Sequence, residues 1–194
     1  CPDGIGPAGG SISVTDTTSD LHGVGITVAP LAWNQCYGVF PGYETTFTTP
    51  NFPDGIEGYA GWLSGSLRLE IGHSDAQGNF TAAPDSLELE ITFPLRDLVC
   101  ADDEIFAAWR YDDTVSRWRV VLPVAATDST ITVRTCHHRP LWTWGKISLY
   151  DVDFDLYLAP ALAEAQGSGR WLEVQDELRS LYDSVITEDL SMNC

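Results

Sequence analysis

Leu87-Glu88-Leu89-Glu90-Ile91 alternates apolar and acidic side chains at a period of two. Successive side chains of a strand point to opposite faces, so this stretch buries its leucines and isoleucine and wets its glutamates. The same period recurs in Ser11-Ile12-Ser13-Val14-Thr15, Val24-Gly25-Ile26-Thr27-Val28, Leu67-Arg68-Leu69-Glu70-Ile71 and Ile131-Thr132-Val133-Arg134. One dry face and one wet face is the pattern of antiparallel sheets. Ile105 to Tyr111 and Trp118 to Leu122 flank the polar stretch Asp112 to Arg117 and read as a hairpin. Asp75 to Asn79 and Ala126 to Ser129 read as further turns. Eight or more short strands with such punctuation predict an antiparallel β-sandwich, mainly β, over residues 11–158.

On either side of that block the pattern changes. Residues 1–10 are rich in Gly and Pro, lack periodicity and read as a tether. Residues 159–194 turn helical from Pro160 onward. Trp171, Val174, Leu178, Leu181 and Val185 follow spacings of 3, 4, 3 and 4, which puts them on one stripe of an amphipathic helix. That stripe packs on its own sandwich or docks on a partner, with Trp171 as the anchor. Its polar face carries Glu173, Asp176, Glu177 and Asp183. Such a face suits a membrane surface poorly.

Composition limits the partners. The chain has 194 residues, a net charge of −18 and ten bases, of which Lys146 is the one lysine. It has no basic stripe to meet phosphate, which argues against nucleic acid. Apolar residues make up 44%, enough to argue for a folded core rather than disorder. No apolar run reaches the roughly 18 residues of a membrane-spanning helix.

Five cysteines stand at 1, 36, 100, 136 and 194. Cys1 with its flexible tether resembles a bacterial lipoprotein, in which that thiol carries a diacylglyceryl group. A covalent lipid on Cys1 would hold the domain to a membrane. The remaining candidates for disulfides are Cys36, Cys100, Cys136 and Cys194, which allow three connectivities. No two lie within zinc-ligand spacing. An oxidising compartment, extracytoplasmic and membrane-anchored on a bacterial envelope, is the setting these features imply.

Residues 9 to about 150 resemble the β-sandwich shared by zonula occludens proteins, netrin receptors and ankyrins, the ZU domain. The resemblance is carried by Gly23 to Ala32, by Phe80 to Pro94, by Trp109-Arg110-Tyr111-Asp112 with Trp118, and by Thr130 to His137. It implies an Ig-like, non-catalytic scaffold that mediates protein contacts. One branch of that family cleaves itself at a His-Phe-Ser sequence. His137-His138-Arg139 stands at that place and offers no nucleophile.

Little else in the sequence points to catalysis. Cys136-His137-His138 is the most reactive-looking cluster, and a bridged Cys136 is the expectation there. Asp151, Asp153 and Asp155 alternate with apolar residues and read as one strand face, weak candidates for calcium. Trp142 and Trp144 share a face and read as partner-binding candidates, as do Tyr43 and Phe52 in a proline-punctuated region. The sequence thus leads to an accessory subunit without a catalytic cofactor, contacting a membrane protein complex or other envelope proteins. The alternative is a glycan- or calcium-dependent binding module using Trp142, Trp144 and the aspartate face.

Overall fold

The computed structural model describes residues 5–30, 36–44, 66–74, 77–83, 87–96, 99, 104–137, 141–148 and 154–167. Its strands are β1 (Gly10–Ser13), β2 (Gly25–Val28), β3 (Gly38–Glu44), β4 (Ser66–Ser74), β5 (Phe80–Ala82), β6 (Leu89–Pro94), β7 (Glu104–Asp112), β8 (Arg117–Val121), β9 (Ala125–Ala126), β10 (Thr130–Thr135) and β11 (Leu141–Ser148). They form two antiparallel sheets, β1-β2-β6-β10-β9 and β3-β4-β11-β7-β8, with β5 paired to β4. The architecture is a β-sandwich, as the alternating strands predict. A π-helical turn, Phe154–Leu158, leads into α1 (Ala159–Gly167).

The core is built from the dry faces of both sheets. Ile26 and Val28 of β2, Leu89, Ile91 and Phe93 of β6, and Ile131 and Val133 of β10 line one side. Leu67, Leu69 and Ile71 of β4, Ala108 of β7, and Trp142 and Trp144 of β11 line the other. Phe93 stacks on Trp144 with ring centroids 4.7 Å apart, and Trp142 lies 6.4 Å from the same phenyl ring. Trp144 Nε1 donates to the Pro94 carbonyl at 2.8 Å, so the indole crosses the core with its polar atom satisfied. Trp142 Nε1 is buried without a hydrogen-bond partner among the described residues.

The strand β7 departs from alternation because both of its faces are covered. Phe106 and Ala108 face the inter-sheet core. Ala107, Trp109 and Tyr111 join Trp118, Val120, Leu122 and Ile147 in a second cluster, closed by Leu158 and Ala161. Trp109 meets Tyr157 edge-on, with centroids 5.8 Å apart. A strand dry on both sides reads as a continuous apolar run. Ala161 and Ala165, one turn apart, are buried and small enough for α1 to sit close on β8. Arg110, buried in β7, reaches Glu164 of α1 at 3.9 Å. Burial draws the Arg110 guanidinium below the ordinary arginine pKa, and Glu164 opposes that shift.

The β7–β8 hairpin is fixed by its turn. Asp112 accepts from the Thr114 amide at 3.0 Å and from the Thr114 hydroxyl, an Asx-type closure. Its other oxygen accepts from Arg119 Nε at 2.5 Å. Ser116 takes φ 50°, the left-handed residue such a turn uses.

Two expectations are corrected here, and a third lies outside the described residues. Residues 5–10 are not a free tether: Ile5 is buried and exchanges backbone hydrogen bonds of 2.8 and 3.0 Å with Tyr37. The alternation at 151–156 does not make a strand where it is described, since Phe154–Leu158 is π-helical and Asp155 is exposed on it. The helical stretch from Trp171 lies outside the described residues, as do Asp151 and Asp153.

Two outcomes follow from this core and this turn. Phe93→Ala is expected to cost about 3–5 kcal/mol, read from the midpoint of urea unfolding, because it removes the stack on Trp144 and opens a cavity between the sheets. The Thr114 hydroxyl, and then Arg119, hold the Asp112 carboxyl at about 2. The folded state therefore prefers the ionised form. Its stabilisation is complete above the ordinary carboxylate value of about 4 and fades as pH falls toward 2. Asp112→Asn should flatten that acid limb of the stability curve; an unchanged limb would assign it to other carboxylates.

Candidate functional site

The outer face of β3, β4 and β5 carries the feature that best fits a binding role. Val39 packs toward the core and β4 buries Leu67, Leu69 and Ile71 there, so the alternate residues face outward. That outward row holds Gly38, Phe40 and Gly42 of β3, Arg68, Glu70 and Gly72 of β4, and Phe80 and Ala82 of β5. Gly72 pairs with Gly38 on one side and with Ala82 on the other.

Two glycines let two rings lie down. A Cβ on Gly38 would come within 2.6 Å of Phe40 Cε2, and one on Gly72 within 2.5 Å of Phe80 Cζ. Each phenyl ring therefore rests its far end on bare strand backbone, an arrangement that shields strand glycines. Phe40 is 56% exposed and Phe80 47%, so each ring keeps one side in water. Strands hold both rings, so the face is rigid.

Electrostatics single out Glu70. It is the cross-strand partner of Phe40 and is exposed. The described carboxylates of β6 and β7 are paired within the chain: Glu90 with Arg134 at 2.6 Å, Glu104 with Lys146 at 2.6 Å, and Asp112 with Arg119; Glu88, just before β6, also reaches Arg134 at 3.5 Å. Glu70 carries no ion pair or hydrogen bond among the described residues. Arg68, two residues before it on the same strand, is engaged elsewhere. Pro41 stands in the middle of β3, which is an edge strand. It offers no N–H for a further strand. Contact at this edge therefore runs through side chains of the face.

The positions singled out in sequence fall unevenly. Trp142 and Trp144 do share a face, but it is the inner one: they are 0% and 1% exposed and cannot meet a partner. Tyr43 lies in β3, paired with Leu67, on the strand that carries Phe40. Cys136 is not bridged; it ends just beyond β10 as a free, exposed thiol. Cys36, next to Tyr37, is not free. Cys1, Cys100, Cys194, Phe52 and Trp171 lie outside the described residues. Among the described residues no three His, Cys, Asp or Glu side chains group as metal ligands. A cavity of about 20 Å³ between β8 and α1, lined by Val120, Leu122, Glu164 and Ala165, has room for a water-sized group.

Fold and surface together define a β-sandwich that presents a flat aromatic face. No family model matches the chain, and no curated protein or solved structure does either. Phe80, Glu70 and the two glycines escaped sequence reasoning. The available signal was a glycine inside a strand pattern, Gly72 directly after Leu67 to Ile71, which marks close approach of another group.

The two glycines make opposite demands when replaced. Gly38→Ala meets only the tip of the Phe40 ring, which can swing away. It should leave thermal stability nearly unchanged while moving the Phe40 ring resonances. Gly72→Ala also meets the backbone carbonyl of Thr81, so β5 must shift. It should lower the unfolding midpoint and disturb the amide resonances of Phe80 to Ala82. Equal effects of both substitutions would contradict the described packing.

Proposed function

We propose that the chain is a non-catalytic binding module, an accessory or structural subunit that contacts other proteins of a membrane-associated extracytoplasmic complex. The observation that carries this reading is the face formed by Phe40 and Phe80. Apolar rings kept in water on a rigid sheet are a cost to a solitary domain, and such patches mark interaction surfaces. The likeness to ZU scaffolds, which mediate protein contacts, supports the same reading. The charge of −18 repels anionic lipid, so attachment to a membrane needs an anchor such as lipid on Cys1 rather than surface charge. The glycan alternative loses its aromatic pair, because Trp142 and Trp144 are enclosed in the core.

The experiment is site-specific photo-crosslinking in native membranes. A photoreactive phenylalanine replaces Phe80 in one variant and Thr132, on the wet face of the opposite sheet, in another. Position 80 should label one discrete membrane protein, and Phe40→Ala in the same chain should abolish the label. Position 132 should not give it. No label from position 80, or the same label from both, overturns the reading. Intact mass of the extracted chain reads the anchor as an added diacylglyceryl group.

A further inference from the structure

We infer that Phe40, Phe80 and Glu70 form a receptor for a cationic side chain, an arginine or lysine presented by the partner protein. The inference rests on the reading of this face as the protein-contacting surface and names what the face takes.

Three observations converge on a cation. The far end of each ring rests on glycine backbone, while about half of each side chain stays exposed. A phenyl ring has an electron-rich π face that attracts Arg and Lys, and half-exposed rings on a strand can offer it to a partner. Glu70 stands on the same face, directly across from Phe40 and two residues before the glycine that Phe80 covers. Among the described residues its carboxylate has no partner, whereas the acids of β6 and β7 are matched to bases of the chain. An unpaired carboxylate beside two ring faces complements one positive charge better than it does an apolar or anionic group. The chain's net charge of −18 adds a long-range field of the same sign.

The same charges weigh against other occupants. An anionic lipid or acidic peptide is repelled. A choline headgroup offers an ammonium but brings its phosphate with it. Pro41 opposes an added strand, which leaves side chains of the partner as the contacting groups.

The test uses the full chain, labelled for NMR, titrated at low ionic strength with a short Gly-Arg repeat peptide, its Gly-Lys counterpart and its citrulline isostere. The Arg and Lys peptides should shift the Phe40 and Phe80 ring resonances saturably. The neutral citrulline peptide should bind far more weakly. Phe40→Leu and Phe80→Leu keep an apolar side chain but remove the π face, and each should weaken binding by roughly threefold. Glu70→Gln should do the same, while Asp113→Asn, in the exposed β7–β8 turn, should leave affinity unchanged. A preserved amide spectrum shows that each variant is folded.

Equal weakening by Glu70→Gln and Asp113→Asn, with wild-type binding by both leucine variants, would mean diffuse charge attraction and overturn the inference. Ring shifts with phosphatidylcholine vesicles but none with the peptides would assign the face to lipid and overturn it too. Crosslinking from position 80 that persists while the Arg and Lys peptides fail would sink this inference alone and leave the protein-contact reading standing.

Discussion

The inter-sheet contact of Phe93 with Trp144 organises the molecule. The stack joins β6 of one sheet to β11 of the other, and the indole N–H is tied to the Pro94 carbonyl at the end of β6. That one side chain therefore fixes both the spacing of the sheets and their relative slide. With the inner faces committed, the outer faces meet different fates. The first sheet turns a row of hydroxyls outward, with Ser11 bonded to Thr27 and Thr92 to Thr132. The second sheet is divided. Its β7, β8 and β11 half is roofed by the π-helical turn and α1. Its β3, β4 and β5 half carries the two half-exposed phenyl rings.

This division explains why the roof is built as it is. Trp109, Tyr111 and Trp118 would form a large wet aromatic patch without it. Alanines at 161 and 165 bring the helix close, and Arg110 reaches its far end at Glu164. A buried guanidinium held by one half-exposed carboxylate is a weak attachment, since desolvation offsets much of the attraction. The apolar contacts of Leu158 and Ala161 hold the roof, and the ion pair sets its position along β8.

Most of the strands were legible in the sequence because a half-buried strand must alternate. A one-residue slip of Leu89 to Ile91 against Val133 to Thr135 would turn charge into the core. The face each aromatic takes was less legible. Trp142 and Trp144 share a side of β11, and nothing local says which side is dry. Phe40 and Phe80 sit in strands where phenylalanine normally belongs to a core. Phe40 faces outward because its neighbour Val39 packs on the core, and Phe80 shares that outer face through the pairing of β5 with β4. The alternation that runs on into Phe154 and Leu156 imitates a strand, yet Phe154–Leu158 is π-helical and winds into the roof. Cys136 looked bridged because spacing carries no distance information in a sandwich.

The docking of Ile5 on Tyr37 ties the two sheets together at one edge. Tyr37 directly precedes β3 of one sheet, while the chain from Ile5 turns through Gly6 and Gly9 straight into β1 of the other. Residues 5–9 therefore act as a strap across the sandwich, with the buried Ile5 side chain as its buckle. Fraying of β1 would tug on the strand that bears Phe40, so the outermost strand of one sheet and the aromatic face of the other share their stability.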